Sequence, residues 1–348
     1  MEQDFKESIL YYDKKNVSNF AQNDYTKIYR FLNPITDYKV FHTYLRLGLM
    51  EHNAVYDRSG EIPHFLNMAE DLHPLPKHIE GYNKSFYEVA ENRAKELLAL
   101  NQPINVMWSG GLDSTFALFM LRKFANDKDQ VRVYGTYNSI IESGDMFDRV
   151  IKDNFKYEIS TATRNDLNLN SEGIYVSGMC GNQLFGPTDD MFGNNMLFHH
   201  TLGTPETIYE SYEKNIDPEL LEFLYPAIKV SPRKIETVAD LRWYCIFNLD
   251  WYTAIYEHKI LLPKEKAEKI YGFFDSIEFQ EWAANTKEPF TKVQGDPNTH
   301  RWQMREILSD IFGEVEYAKN KEKKISNFSI TEPGWIALLE DYRNVFID

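Results

Sequence analysis

Cysteine is nearly absent from this chain, with only Cys180 and Cys245 among 348 residues. Two thiols cannot build the cross-linked framework of a small secreted domain, and no Cys-x-x-Cys spacing occurs. That usage fits a reducing compartment. Long apolar runs are also missing, and none approaches the roughly 20 residues that cross a bilayer as a helix. The opening MEQDFKESILYY is acidic and broken by charge, so it does not read as a secretory signal. The expectation is a cytoplasmic protein, or one made in the cytoplasm of a host cell. Positive charge is in deficit, with 38 Lys and Arg against 53 Asp and Glu, a net −15. A field of that sign repels phosphate backbones and anionic lipid, which disfavours general nucleic-acid or membrane binding. Internal repeats and low-complexity tracts are absent.

What is present is the material of a globular fold. The hydrophobic share of 43% is enough for a sizeable core, and the 15% of aromatics runs through the whole length as packing material. Residues 1–83 mix short apolar runs with turn signals such as Asn33-Pro34, Ser59-Gly60 and His73-Pro74, and no chemistry is assigned to them. From Ser85 the pattern sharpens. Phe86, Val89, Ala90, Ala94, Leu97 and Leu98 recur at helical spacing, and Asn101 to Pro103 ends that helix. Strand-length apolar runs follow at Ile104 to Trp108, Val131 to Tyr137 and Gly173 to Ser177, with the apolar helix STFALFMLRKF between the first two. Alternation of this kind predicts an α/β core with a parallel sheet over residues 84–204. Residues 205–348 read as a mainly helical lobe, with helical candidates at Thr237 to His258, Phe279 to Asn285, His300 to Phe312 and Gly334 to Asn344.

The chemistry is concentrated in Ser109-Gly110-Gly111-Leu112-Asp113-Ser114, between the first strand and its helix. Two adjacent glycines let backbone approach a ligand closely. A loop that leaves a strand and enters a helix N-terminus aims unsatisfied N–H groups and the positive end of the helix dipole at an anion. Ser109 and Ser114 add hydroxyl donors. Asp113 cannot donate to phosphate, but it can hold a cation that bridges to one. The spacing is not that of a Walker A loop, and the Lys-Ser/Thr pair is missing.

This string resembles the SGG-x-DS signature of the PP-loop (N-type) ATP pyrophosphatase family. The resemblance implies an adenine nucleotide alpha hydrolase-like fold of the HUP type: a parallel sheet with helices on both faces. It further implies cleavage of ATP between the α and β phosphates, with adenylation of a substrate oxygen. Within the family, Val176-Ser177-Gly178-Met179-Cys180-Gly181-Asn182-Gln183-Leu184-Phe185-Gly186 resembles the SGEGxDExFGG stretch of the asparagine synthetase branch. Ser177, Gly178, Leu184, Phe185 and Gly186 fit. Met179, Asn182 and Gln183 stand where that branch has acids. An amide oxygen can still meet Mg²⁺ but neutralises none of its charge.

Weaker likenesses follow. Phe273-Phe274-Asp275 resembles the PFLD segment, and Arg301 to Leu308 the K-x-x-LREAL helix. Lys319-Asn320-Lys321-Glu322 resembles the RQKE stretch, whose lysine meets the ATP phosphates. By that resemblance Ser109, Gly110, Gly111, Leu112, Asp113, Ser114 and Gly178 bind ATP, Asp113 and Asn182 hold Mg²⁺, and Lys321 and Asp113 are catalytic. Glutamine-dependent members begin with a cysteine nucleophile and a glutaminase domain, whereas residue 2 here is Glu2. An acid does not replace that thiolate. Nitrogen would come from ammonia, from a substrate amine as in β-lactam synthetase, or from a separate glutaminase partner.

Other residues read more simply. His199-His200 lack a carboxylate at ligand spacing and read as loop; Asp189-Asp190 as a solvated turn; Arg233-Lys234 and Arg242 as helix-surface charge; Cys180 as packing. Three functions remain open. The first is an AMP-forming carbon–nitrogen ligase joining a carboxylate to ammonia or an amine. The second is a nucleotide-binding protein with a degenerate site. The third is a nucleobase- or tRNA-modifying enzyme.

Overall fold

The computed structural model describes residues 10–13, 57–61, 73–160, 169, 171–186, 225–235, 238–251, 255, 266, 268–292, 299–321 and 333–336. The chain divides into two compact units. One comprises Pro76–Gly193 and Ala254–Ile330, and the other Met1–Leu75, Asn194–Thr253 and Thr331–Asp348.

The first unit is built on a five-stranded sheet. Its strands are β2 (Ile104–Trp108), β3 (Val131–Thr136), β4 (Lys156–Ser160), β5 (Ile174–Ser177) and β6 (Ile270–Gly272). They lie in the order β4-β3-β2-β5-β6, and every neighbouring pair is parallel. The chain thus starts in the middle at β2, steps outward through β3 and β4, then crosses to β5 on the other side of β2. Central β2 and β5 are buried along their whole length, as strands covered on both sides require. The first three residues of edge strand β4 are exposed, which is why Lys156 and Glu158 are tolerated there.

Helices α1 (Phe86–Leu98) and α2 (Leu112–Phe124) flank this sheet. Ser85 caps α1 by accepting from the Glu88 amide, while the Glu88 carboxylate accepts from the Ser85 amide, so the first turn is closed at both ends. Ser114 to Leu121 of α2 are all buried, which explains its weak two-sidedness in sequence. Short helices α3 (Tyr137–Glu142) and α4 (Gly181–Phe185) follow β3 and β5. Phe86, Phe116, Phe185, Phe279 and Trp282 pack as one aromatic cluster, with Phe86 within 5.6 Å, centroid to centroid, of each of the other four. Arg93, buried in α1, donates to the carbonyls of Gly272 and Phe273 and so ties the end of β6 to that helix.

Of the second unit, α5 (Val238–Leu249) carries a buried run from Trp243 to Leu249. Arg58 stacks on Phe247 and Trp251, at 5.1 and 4.9 Å from their ring centroids, and donates to the Phe247 carbonyl. Strands β1 (Leu10–Asp13) and β7 (Pro333–Ile336) pair antiparallel in the same unit. The sequence places a helix at Gly334 to Asn344, and its opening residues are instead strand. Trp335 and Ile336 suit a strand, and pairing with β1 supplies their backbone partners. Residues 337–344 lie outside the described set.

Three further helices of the first unit are α6 (Ile277–Asn285), α7 (Trp302–Phe312) and α8 (Val315–Asn320). Arg305 of α7 donates to the carbonyls of Ala318 and Lys321 at the end of α8, at 2.5 and 3.0 Å. A cation on the last carbonyls of a helix satisfies both their hydrogen bonding and the dipole.

Candidate functional site

The strand order reverses between β2 and β5. In open parallel sheets this is the place where loops from neighbouring strands diverge and a crevice opens beyond the carboxyl ends. Both glycine-bearing segments leave the sheet there, Ser109–Ser114 after β2 and Gly178–Gly181 after β5.

The first loop is organised by its own hydroxyls. The Ser109 amide donates to Ser114 Oγ at 3.1 Å, the Gly111 amide to Ser109 Oγ at 3.2 Å, and Ser114 Oγ to the Gly111 carbonyl at 3.2 Å. Gly110 has φ +78°, and a Cβ there would lie 2.6 Å from the Ser139 carbonyl oxygen. No other residue fits both conditions. Gly111 caps α2, so the amides of Leu112, Asp113 and Ser114 belong to its first turn, where a helix leaves donors unsatisfied. Ser109, Gly111, Leu112 and Asp113 all keep partial exposure.

The two loops touch. A Cβ on Gly178 would stand 2.8 Å from the Ser114 nitrogen, and one on Gly181 would stand 2.6 Å from Asp113 Cγ. Gly178 is therefore required by its close approach to backbone, while a side chain at position 181 would have to displace the Asp113 carboxylate. Cys180 between them is buried and holds a left-handed conformation at φ +68°, just ahead of α4.

Asp113 and Asn182, expected to share a metal, are instead joined by Arg301. One terminal nitrogen of its guanidinium donates to Asp113 Oδ1, the other to Asn182 Oδ1. Arg301 is 5% exposed and has φ +57°, and its Nε has no hydrogen-bond partner. A cation shared by Asp113 and Asn182 would have to displace this guanidinium. The other two positions compared with acids in the sequence hold Met179 and Gln183, neither charged. The residues present do not fit a divalent metal held between Asp113 and Asn182.

Lys321 reaches the loop through Glu142. Its Nζ donates to Glu142 Oε1 and, at 3.3 Å, to the Glu142 carbonyl. The Glu142 Cβ and Cγ would lie 3.0 Å from a Cβ on Gly110. Both charges are largely buried, at 8% and 11% side-chain exposure. One turn earlier in α8, Tyr317 donates to the Gly110 carbonyl at 3.2 Å and shares a hydrogen bond of 2.9 Å with Thr115, which in turn accepts from Trp108 Nε1. Burial pushes the Tyr317 hydroxyl well above the usual tyrosine range, and the Asp113 and Glu142 carboxylates push the same way.

The structure thus brings Ser109, Gly110, Gly111, Leu112, Asp113, Ser114, Gly178, Asn182 and Lys321 to one end of the sheet. Cys180 and Gln183 are buried there too. Arg233 and Lys234 lie in the other compact unit; Lys234 is exposed, while Arg233 is half-buried over the Trp243 ring at 5.0 Å, and burial lowers its pKa. Asp189, Asp190, His199, His200 and Glu322 lie outside the described residues, as does the side chain of Arg242. Arg301, Tyr317, Glu142 and Gly181 belong to the site without any role assigned from sequence. Only the likeness of Arg301 to the leading lysine of K-x-x-LREAL marked one of them.

The chain matches no protein-family model, no curated protein and no solved structure.

Proposed function

We propose that this chain is an ATP-dependent, AMP- and pyrophosphate-forming carbon–nitrogen ligase of the PP-loop kind, akin to asparagine synthetase but without intrinsic glutaminase. One observation carries the reading: the SGGLDS loop and a second glycine loop abut at the reversal point of a parallel sheet, beyond the carboxyl ends of β2 and β5. Such a position suits a nucleotide whose phosphates lie on the first turn of α2.

In this reading the amides of Leu112, Asp113 and Ser114 cradle the β and γ phosphates. A substrate carboxylate attacks the α phosphorus, and the bond to the bridging oxygen of pyrophosphate breaks. Lys321, held beside Gly110 by Glu142, meets the charge that develops on the leaving pyrophosphate. Ammonia or an amine then displaces AMP from the acyl-adenylate, giving an amide and releasing a proton. Holding adenylate and amine side by side makes the second step effectively intramolecular.

The test is pyrophosphate release from ATP in Mg²⁺-containing buffer, with a panel of carboxylates plus ammonia. Release that depends on one carboxylate, and falls about a hundredfold or more in Lys321→Met, is the expected result. ATP binding with no release for any carboxylate would leave a nucleotide-binding protein, the reading that Met179, Asn182 and Gln183 favour.

A further inference from the structure

Resting on the nucleotide reading above, we propose that the Arg301 guanidinium is a resident cation at this site, and that it takes the place of a divalent metal in nucleotide binding. The two side chains that a metal would share both place an oxygen on this guanidinium. Among the described residues Asp113 is the carboxylate on this guanidinium and is neutralised by it, so these groups hold no net negative charge to attract a second cation, and a divalent ion beside the guanidinium would be repelled.

The guanidinium is also suited to phosphate. It carries five N–H donors in a planar fork, matches phosphate geometry and stays charged at any physiological pH. Two donors are used, one from each terminal nitrogen, and the Nε donor is buried without a partner. A buried polar group left unpaired in the free protein is one a ligand oxygen can satisfy. At 5% exposure the charge is fixed in place, and its field is screened far less than that of a surface side chain. Three elements converge to hold it: Asp113 from the first turn of α2, Asn182 from α4, and Arg301 itself at the start of α7.

Calorimetric titration of the full chain with ATP and with α,β-methylene-ATP, in excess EDTA and in Mg²⁺, tests this. The expected result is a Kd in EDTA within about threefold of that in Mg²⁺. Binding seen only with Mg²⁺, or tighter by about tenfold or more, overturns the proposal and leaves the nucleotide reading standing. No binding in either buffer overturns both.

Arg301→Met is expected to lose about tenfold or more of its affinity in EDTA and to regain part of it with Mg²⁺, because Asp113 is then released. A thermal melt shows whether that variant folds. Asn182→Asp keeps the arginine and adds a carboxylate. It is expected to weaken ATP binding in EDTA and to create a dependence on Mg²⁺. Affinity equal to the parent's in both buffers overturns the proposal, because the charge next to the guanidinium would then be irrelevant to the phosphates.

Discussion

Gly181 shows how little room the site leaves at the level of one atom. A methyl group at this position would fall 2.6 Å from Asp113 Cγ and 2.7 Å from Asp113 Oδ2. The glycine has no positive φ to justify it, so its role is the close approach alone. Gly181→Ala must therefore displace the Asp113 carboxylate, and with it the carboxylate's hold on the Arg301 guanidinium. Overpacking of this kind costs about 1–3 kcal/mol. The expected outcome is a lower melting temperature together with ATP affinity reduced by about tenfold or more, measured by calorimetry on the folded fraction. Full affinity in this variant would mean that the two loops do not act together. Arg301 presents the opposite situation, since its backbone is left-handed where most side chains pay a penalty. Its ion pair with Asp113 spans 188 positions of sequence, a separation at which no local spacing rule operates.

At the scale of elements, the loop is gripped from the far side by α8. Tyr317 bridges the Gly110 carbonyl and Thr115, so Tyr317→Phe leaves both with one partner fewer and is expected to cost about 1–2 kcal/mol. The same residue gives a pH signature. Its folded pKa is raised above the unfolded value, so its contribution is fully present below about pH 10 and is lost as pH rises further, because the unfolded tyrosine ionises first. Urea titrations at neutral pH and above pH 10 should show the gap between parent and Tyr317→Phe narrowing in alkali. Tyr82 and Tyr244 are raised in the same direction by burial, so the variant keeps part of the alkaline loss. The elements that make this grip differ in how plainly they stand in the sequence. Fully buried β2 and β5 and amphipathic α1 follow from apolar runs and helical spacing, and their bounds match within a residue or two. Edge strand β4 was not legible because its exposed half lacks an apolar signal, and β6 because three residues are too few for one. Helix α4 hides within what reads as a glycine-rich turn. The Ser109–Ser114 loop was legible because all its parts are contiguous. Its partners Arg301, Glu142 and Tyr317 were not, since tertiary packing alone unites them.

At the scale of the whole molecule, the charge of −15 separates the ligase reading from nucleic-acid modification. A nucleotide needs only a handful of local donors, which the α2 N-terminus and Arg301 offer within one site. A tRNA substrate needs a continuous basic track, because each neutralised phosphate contributes its own salt-dependent increment to affinity. The balance of 38 basic against 53 acidic side chains works against such a track. Some of the basic groups are already engaged, Arg149 with Glu314 and Lys321 with Glu142, while burial holds Arg301 and Arg93 inside. Long-range repulsion should then dominate any encounter with a polyanion at low salt, where the Debye length is greatest. The expectation is no measurable shift of bulk tRNA or duplex DNA in an electrophoretic assay at roughly 0.15 M salt. Lowering the salt should not produce one, since the repulsion grows as screening falls. In the ligase reading ATP meets short-range donors inside a shielded site, so its affinity should change far less over the same range. A tRNA complex that tightens steeply as salt is removed would reveal a basic surface that the overall charge conceals, and would move the site from amide synthesis to nucleobase chemistry.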